Sequence, residues 1–274
     1  MREGAASKYT TRFIMYAFLI IVSFISVFPL YWAFISAFNN TQQILGGRMI
    51  PSTYLMQNLQ NLFAQQDVMN AMKNSFATSI LQTVLALVVS SIAGYGFEIY
   101  HDKYKDGLMG ILRLAMMVPF VAVLVPLFQM FSKANLLNTW IGFFMPSLAT
   151  PFLIMYFRNS ARTFPKDTIE AARIDGLNEF QIFVKMFVPM MKPTYASAAT
   201  ITFMNAWNSY LWPKVIMQTG DATTMPMLVS NLMAGYVIDY GVVMAGVTIC
   251  SLPTVIVFFI LQKSFTNAVA GAVK

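Results

Sequence analysis

Two stretches of this chain carry side chains suited to binding inside an otherwise apolar sequence. The first, residues 169–176, reads IEAARIDG, in which small and charged side chains predominate. Small side chains let a partner surface approach the backbone closely, and Glu170, Arg173 and Asp175 offer charge to the same partner. We predict a docking platform for another protein here; a solvated loop with helical turns is the alternative interpretation.

The second stretch carries polar side chains at steps of three and four residues, which predicts one shared helical face. Its members are Thr202, Asn205, Asn208, Ser209 and Trp212. Amides buried in a membrane need partners, so this face should meet other helices or a water-filled path. Amide side chains both donate hydrogen bonds to hydroxyl groups and accept them, and Trp offers a flat apolar ring. These properties favour a path for a neutral polyol. Hydrogen bonding between packed helices is the alternative; Gln82 and Gln129 are weaker candidates for the path.

Motifs for catalysis and for ion coupling are absent from the sequence. There is no G-x-x-x-x-G-K-[ST] phosphate loop, no G-x-S-x-G and no group of residues with metal-ligand spacing. The interiors of the predicted spans hold no Asp, Glu or His, the residues that ion-coupled transporters place inside the membrane. We therefore predict a non-catalytic chain without a metal or cofactor of its own; an ion-coupled secondary transporter is a less favoured alternative.

The elements that would position these stretches are membrane-spanning helices. The chain is 57% apolar and 11% charged, whereas soluble domains carry about 25% charged residues. A spanning helix needs about 20 mainly apolar residues. Six runs qualify, which predicts an all-α membrane protein with spans at 13–38, 74–97, 107–131, 140–157, 195–212 and 241–261.

The positive charges predict the orientation of these spans. Fourteen of the eighteen Lys and Arg residues lie on the side of the termini, and only Arg48, Lys73, Lys133 and Lys214 lie on the other. Because Lys and Arg concentrate in cytoplasmic segments, we expect residues 1–12 and the tail 263–274 to be cytoplasmic. The connector 39–73 is then extracellular, and the formal net charge of +7 is a topology signal rather than a nucleic-acid footprint.

The longest inner segment is the connector 158–192, which we call the connector loop. Asp167 followed by Glu170 has capping-box spacing, and Gly176 suits a helix end in the left-handed conformation. Asn178 followed by Gln181 repeats the capping pattern. The pattern predicts a helix, a tight turn and a second helix.

The second helix of the connector loop is predicted to bury one apolar face against the ends of the spans. That face comprises Phe180, Ile182, Phe183, Met186 and Phe187. Pro189 and Pro193 mark the turn back toward the membrane.

The E-A-A-x-x-D-G pattern, followed by a hydrophobic helix and a proline, resembles the signature loop of ABC importer permeases. Glu170, Ala171, Ala172, Asp175 and Gly176 match that loop, and Pro189 stands where its later proline would. More closely, the chain resembles the second permease of carbohydrate importers of the maltose-transporter type. This likeness extends over AWNSYLWP (206–213), VFPLYWAFISAFN (27–39) and the C-terminal QKSFTNAVAGAVK, and so over nearly the whole chain.

The resemblance implies the type I importer fold of six spans, with a core permease domain over 74–262 in a bacterial cytoplasmic membrane. It also implies that the connector loop docks as a coupling helix into an ATPase subunit, through Glu170, Ala171, Ala172, Arg173, Asp175 and Gly176. The implied partners are a second homologous permease, two ABC ATPases that bind ATP and Mg, and an extracellular solute-binding protein. The tail would reach the interface between the ATPases. Other solute classes share the loop motif, so a non-sugar importer is an alternative.

Overall fold

The computed structural model describes the backbone of residues 3–272 and the side chains of residues 12–260. No β-strand occurs in that part of the chain. In chain order the α-helices are α1 (Glu3–Ser36), α2 (Thr41–Leu45), α3 (Leu55–Gln65), α4 (Val68–Ile99), α5 (Lys103–Ala115), α6 (Phe120–Lys133), α7 (Trp140–Phe144), α8 (Pro151–Ala161), α9 (Lys166–Ile174), α10 (Glu179–Ile182), α11 (Val188–Met190), α12 (Lys192–Trp207), α13 (Leu211–Ile216), α14 (Met225–Leu232) and α15 (Tyr240–Ala272). Short 3-10 turns cover Met145–Ser147 and Gly220–Ala222, and a π-helical turn covers Phe183–Phe187.

Three helical segments among the described residues are long and apolar enough to cross a membrane: Arg12–Ser36, Val68–Ile99 and Tyr240–Ile260. The third and fourth predicted spans are bent pairs, α5 with α6 at 100° and Trp140–Ser147 with α8 at 51°. The helix of the fifth, α12, has only 16 residues. The described chain thus offers three to five candidate spans, and the predicted count of six stays a prediction.

Prolines account for both bends. Pro119 is the N-cap of α6 and Pro151 is the first residue of α8. Proline has no backbone N–H and disfavours a helical conformation in the residue before it, so a helix restarts there rather than continuing.

The chain divides into two compact units. One comprises the residues up to Asp67 together with Val229–Ser251, and the other comprises Val68–Leu228 with the residues from Leu252 onward. The predicted cytoplasmic tail 263–274, and all of the predicted cytoplasmic segment 1–12 except Arg12, lie outside the residues whose side chains are described.

In the first unit, the predicted extracellular connector folds against the start of α15. Asn58 donates its side-chain amide to the carbonyls of Ala37 (2.8 Å) and Asn39 (3.0 Å). A Cβ on Gly241 would lie 2.7 Å from the Asn39 carbonyl, so a glycine is required there. Asp239 caps α15 by accepting from the Gly241 amide at 3.0 Å. The connector is therefore ordered by burial and hydrogen bonding rather than being a plain solvated loop.

In the second unit, α4 is the central helix and packs along both α8 and α12. Its buried face is lined by small and polar side chains, which allow close helix packing. The buried polar members are Asn74, Ser75, Thr78, Ser79, Gln82, Thr83, Ser90 and Ser91.

The connector loop folds as the predicted helix, turn and helix. Gly176 follows α9 with φ of +81°, a conformation that costs glycine little. The second cap is confirmed: the Gln181 amide donates to Asn178 Oδ1 at 2.9 Å and the Asn178 amide to Gln181 Oε1 at 3.0 Å. The helix that follows widens into the π-helical turn before α11.

Two details predicted for this loop are wrong. The helix begins at Lys166 behind Pro165, whose fixed φ already suits a helix start, so Asp167 lies in the first turn and does not cap. Phe180 is 72% exposed, whereas Ile182 and Phe187 are fully buried. Phe180 directly follows the first residue of the short α10, on the side away from the core.

Candidate functional site

A cavity of about 360 Å³ lies within the second unit. Segments from six helices or the breaks between them form its wall. The lining residues are Gln82, Phe120, Phe143, Pro146, Ser147, Thr150, Phe152, Leu153, Ile201, Thr202, Asn205, Ser209, Tyr210, Leu211 and Trp212.

Three helix breaks converge on this cavity. Phe120 begins α6 just after the 100° bend, and Thr150 lies in the break before α8. Ser209 and Tyr210 lie in the break between α12 and α13. At membrane depth, irregular backbone is tolerated where it is buried in protein or lines a water-filled cavity. The convergence therefore indicates a polar compartment built by interrupted helices.

The chemistry of the wall is uncharged. Polar groups come from the amides of Gln82 and Asn205 and from hydroxyls, with no Lys, Arg, His, Asp or Glu in the lining. The hydroxyl side chains are those of Ser147, Thr150, Thr202, Ser209 and Tyr210. Amides and hydroxyls both donate and accept, so the wall can hydrogen-bond a neutral polyhydroxylated solute in either direction.

The structure brings together four of the five predicted pathway residues, namely Thr202, Asn205, Ser209 and Trp212. They do not share one helical face, because α12 ends at Trp207. Pro213 has no amide proton for the residue 209 carbonyl and its ring would clash there, which favours the break between α12 and α13. Asn208 is exposed in the break and lies outside the lining. Of the two weaker candidates, Gln82 lines the cavity and Gln129 does not.

Trp212 positions the wall rather than offering a free aromatic plate. Its indole N–H donates to the carbonyls of Gly142 (3.0 Å) and Phe143 (3.1 Å), and the side chain is only 5% exposed. Partly exposed aromatic surface comes instead from Phe120 and Phe152. Sequence reasoning missed both, although each directly follows a proline that starts a helix.

The connector loop has its own hydrophobic core, which includes the end of α4. Ile169 and Ala172 of α9 pack with Ile182 of α10, with Phe187 and with Tyr95 of α4. Tyr95 lies edge-on to Phe187, with ring centroids 4.8 Å apart. The loop is thus a packed element and not a solvated segment.

Five of the six residues that the resemblance assigned to docking are exposed: Glu170, Ala171, Arg173, Asp175 and Gly176. Ala172 is buried in the loop core, because it lies on the inner face of α9. Exposed apolar side chains, Ile174 and Phe180, flank the turn. A shallow cavity of about 390 Å³ lies beside the turn, lined by Asp167, Thr168, Ala171, Ala172, Asp175, Leu177 and Met186.

Arg173 is engaged within the chain. Its Nε donates to Glu179 Oε1 at 2.8 Å, and the Tyr100 hydroxyl donates to Glu179 Oε2. The bond from Arg173, and then that from Tyr100, hold the pKa of Glu179 below its ordinary value. Burial, and after it the hydrogen bond to Glu179, raises the pKa of Tyr100 to about 12. Arg173 is therefore already paired within the chain, and the other exposed charged residues of α9 and its turn are Lys166, Asp167, Glu170 and Asp175.

Comparison with known proteins gives a consistent result. The family model described as "Binding-protein-dependent transport system inner membrane component" matches residues 87–271. The chain is 41% identical to the lactose transport system permease protein LacG of Rhizobium radiobacter, over 95% of this chain and 96% of that one. It is 32% identical to the arabinooligosaccharides transport system permease protein AraQ of Halalkalibacterium halodurans, over 92% and 93%.

A solved bacterial ABC transporter that imports the acidic polysaccharide alginate contains a chain of the same fold. The TM-score is 0.81 at 19% sequence identity, over 94% of this chain and 98% of that chain. The helical fold with its bent spans, and the family and relatives above, lead to one conclusion: this chain belongs to the family of inner membrane components of binding-protein-dependent transport systems.

Proposed function

We propose that this chain is the permease subunit of an ATP-driven importer and forms half of the translocation pathway for a carbohydrate, with an oligosaccharide as the cargo. The observation that carries the proposal is the uncharged cavity at the three helix breaks. Its volume is at the lower end of the roughly 300–1,000 Å³ of typical ligand sites. The names of the relatives, which transport lactose and arabinooligosaccharides, support a sugar.

The wall of the cavity favours a neutral sugar over an anionic one. An anion moved out of water needs a cation or several fixed donors, since burying an unpaired charge is costly. The wall offers amides and hydroxyls, and Phe120 and Phe152 supply apolar surface for the faces of sugar rings. Gln82, Thr202, Asn205 and Ser209 are the residues that we assign to hydrogen bonding with the solute.

The topology that we propose has six spans. The two bent pairs count as the third and fourth spans, and α12 with α13 forms the fifth across its break. Both termini are cytoplasmic, as the Lys and Arg distribution predicts. The connector loop then faces the cytoplasm, and the cavity opens to the path shared with a second permease subunit.

The energy source is a pair of partner ATPases, which bind ATP and Mg. The exposed Glu170, Ala171, Asp175 and Gly176, with Arg173 holding the turn, form the surface on which an ATPase docks. Because ATP binds the partner alone, coupling requires the docked loop to prefer one ATPase conformation over the other. An extracellular solute-binding protein delivers the solute. We place ATP hydrolysis on the partner chains and assign no catalytic group or cofactor site to the described residues of this chain.

Copurification tests the assembly. The chain is tagged, expressed with its genomic neighbours and purified in mild detergent, as wild type and as Glu170→Lys. We expect an ATPase subunit with the wild type and a reduced amount with the variant. A wild-type preparation without any ATPase would contradict the proposal and favour an ion-coupled transporter.

Uptake into proteoliposomes tests the solute class. Radiolabelled lactose serves as the neutral probe, and radiolabelled glycerol 3-phosphate serves as the anionic comparison. We expect ATP-dependent uptake of the neutral sugar only. Uptake of the anion alone would overturn the sugar assignment and favour the alternative of a non-sugar importer.

A further inference from the structure

The end of α4 is embedded in the connector loop. Tyr95 is buried there, and its ring lies edge-on to Phe183 at 5.2 Å and to Phe187 at 4.8 Å between centroids. Ile99, one turn further along the helix, packs against the same cluster. Because well-packed interiors move as units, a displacement of the loop core must displace this end of α4.

A polar contact joins the same helix end to both halves of the loop. Glu179 begins α10 and uses one carboxylate oxygen for Tyr100, which follows α4. Its other oxygen accepts from Arg173 of α9 at 2.8 Å. Hydrogen bonds to an ionised group are the stronger kind, but solvent weakens this pair because the Arg173 and Glu179 side chains are each nearly half exposed. We call the three residues Tyr100, Glu179 and Arg173 the clasp.

A second set of ion pairs ties α4 to the helix that leads into the loop. Glu98 accepts from Arg158 Nε at 3.0 Å and from Arg162 Nε at 3.1 Å. Arg158 is buried in the last turn of α8. The end of α4 is therefore bonded to α8 at the start of the connector loop and, through the clasp, to α9 and α10 within the loop.

The same helix reaches the solute cavity. Gln82 of α4 lines the wall, and an α-helix rises about 1.5 Å per residue, so Gln82 lies about 27 Å from Tyr100 along the helix axis. No proline interrupts α4. A continuous helix can thus carry a movement of its loop end to a polar group of the cavity.

We infer that α4 is the lever that carries movement of the connector loop to the solute cavity, and that the clasp makes α4 follow the loop. The inference depends on the proposed function, since it assigns a route to the coupling between the docked ATPase and the solute path. The fourth and fifth predicted spans flank the connector loop and are joined to it by the chain itself. The contacts of Tyr95, Glu98 and Tyr100 add the helix two spans earlier.

The test follows a thiol at the cavity in the complete complex with its partner permease and ATPases. The parent carries Gln82→Cys with Cys250→Ser, and a maleimide measures the accessibility of the thiol with ADP and with ATP plus vanadate. Tyr100→Phe and Glu179→Gln are added to this parent. Tyr104→Phe is the matched control, because it removes the same hydroxyl from a ring that is 87% exposed.

We expect the nucleotide to change the labelling rate of the parent and of Tyr104→Phe by about fivefold or more, the lower end of typical coupling between sites. In Tyr100→Phe and Glu179→Gln the change should shrink to less than about twofold, while ATP hydrolysis by the complex persists. The double variant should lose no more than Glu179→Gln alone, because both changes remove the same contact.

Three results would overturn the inference. The first is a labelling rate of the parent that does not change when nucleotide is added. The second is a full nucleotide response in both clasp variants. The third is a clasp variant in which the nucleotide response, ATP hydrolysis and the melting temperature all fall together. The last result would mean that the clasp only maintains the fold. No sugar enters this experiment, so a failure of sugar uptake with an intact labelling response would reject the proposed solute and leave the lever supported.

Discussion

Gly94 of α4 lies against Phe157 of α8 so closely that a Cβ on the glycine would be 2.6 Å from the Phe157 Cβ. The backbone nitrogen of Arg158 would be 2.7 Å away. Real Cβ atoms do not approach a backbone this closely, and a packed core resists the shift that would relieve the clash. The two helices therefore meet nearly backbone to backbone.

Gly94→Ala should destabilise the chain by about 1–3 kcal/mol, the usual cost of overpacking. Gly96→Ala is the control, because a Cβ at that site meets nothing within 4 Å. Alanine favours a helix by about 1 kcal/mol over glycine, so this variant should be as stable as wild type or more so. Thermal unfolding in detergent measures both; equal melting temperatures would contradict the close packing of α4 on α8.

Gly176 ends α9 with positive φ and open space around it. Gly176→Ala should cost about 1 kcal/mol through backbone strain alone, whereas Gly176→Asn should recover much of that loss. Gly176→Pro cannot adopt this φ, so we expect it to abolish transport while the chain still reaches the membrane. Uptake by vesicles with matched amounts of each variant measures the order Gly, Asn, Ala, Pro. Full activity of the proline variant would show that the turn does not matter.

Arg158 is buried with two acidic partners, Glu98 and Asp106, whereas Arg162 shares Glu98 from an exposed position. Arg158→Met removes the hydrogen bonds of a buried guanidinium to two carboxylates, and hydrogen bonds to charged groups contribute about 1.5–3 kcal/mol. Glu98 keeps Arg162 as a partner, so we expect a loss on the order of 2 kcal/mol. Arg162→Met should cost less than about 1 kcal/mol, as exposed pairs do. Thermal unfolding again discriminates them. If the two variants lose equal stability, burial of Arg158 is not what makes its pairs important.

Asn205 lines the cavity and Asn208, three residues later, does not. Asn205→Leu should lower the rate of sugar uptake about tenfold, because one solute hydroxyl would lose its hydrogen-bond partner in the cavity wall. Asn208→Leu should keep uptake within about twofold of wild type, since a change outside the cavity removes no such bond. Basal ATP hydrolysis by the complex should persist in both. The reverse order would mean that the solute path runs along the side of the helix break that carries Asn208.

Local sequence determined the features that need only local information. The sequence predicted the apolar runs, the glycine at the end of α9 and the Asn178–Gln181 cap. Neighbouring residues decide helix length, turn conformation and capping, so these features could be predicted. The distribution of Lys and Arg gave an orientation, which stays a prediction. The E-A-A-x-x-D-G pattern, read as a resemblance, gave the family that the comparisons then confirmed.

Tertiary structure decided which of these features meet. The interruption of the fifth predicted span removed Asn208 from the polar face, and the bends at Pro119 and Pro151 brought Phe120 and Phe152 to the cavity. The burial of Ala172 and the contact of Tyr100 with Glu179 depend on residues far apart in sequence. The angle at a helix break and the partner of a side chain are set by what packs against them, and that packing is a property of the folded chain rather than of any short stretch within it.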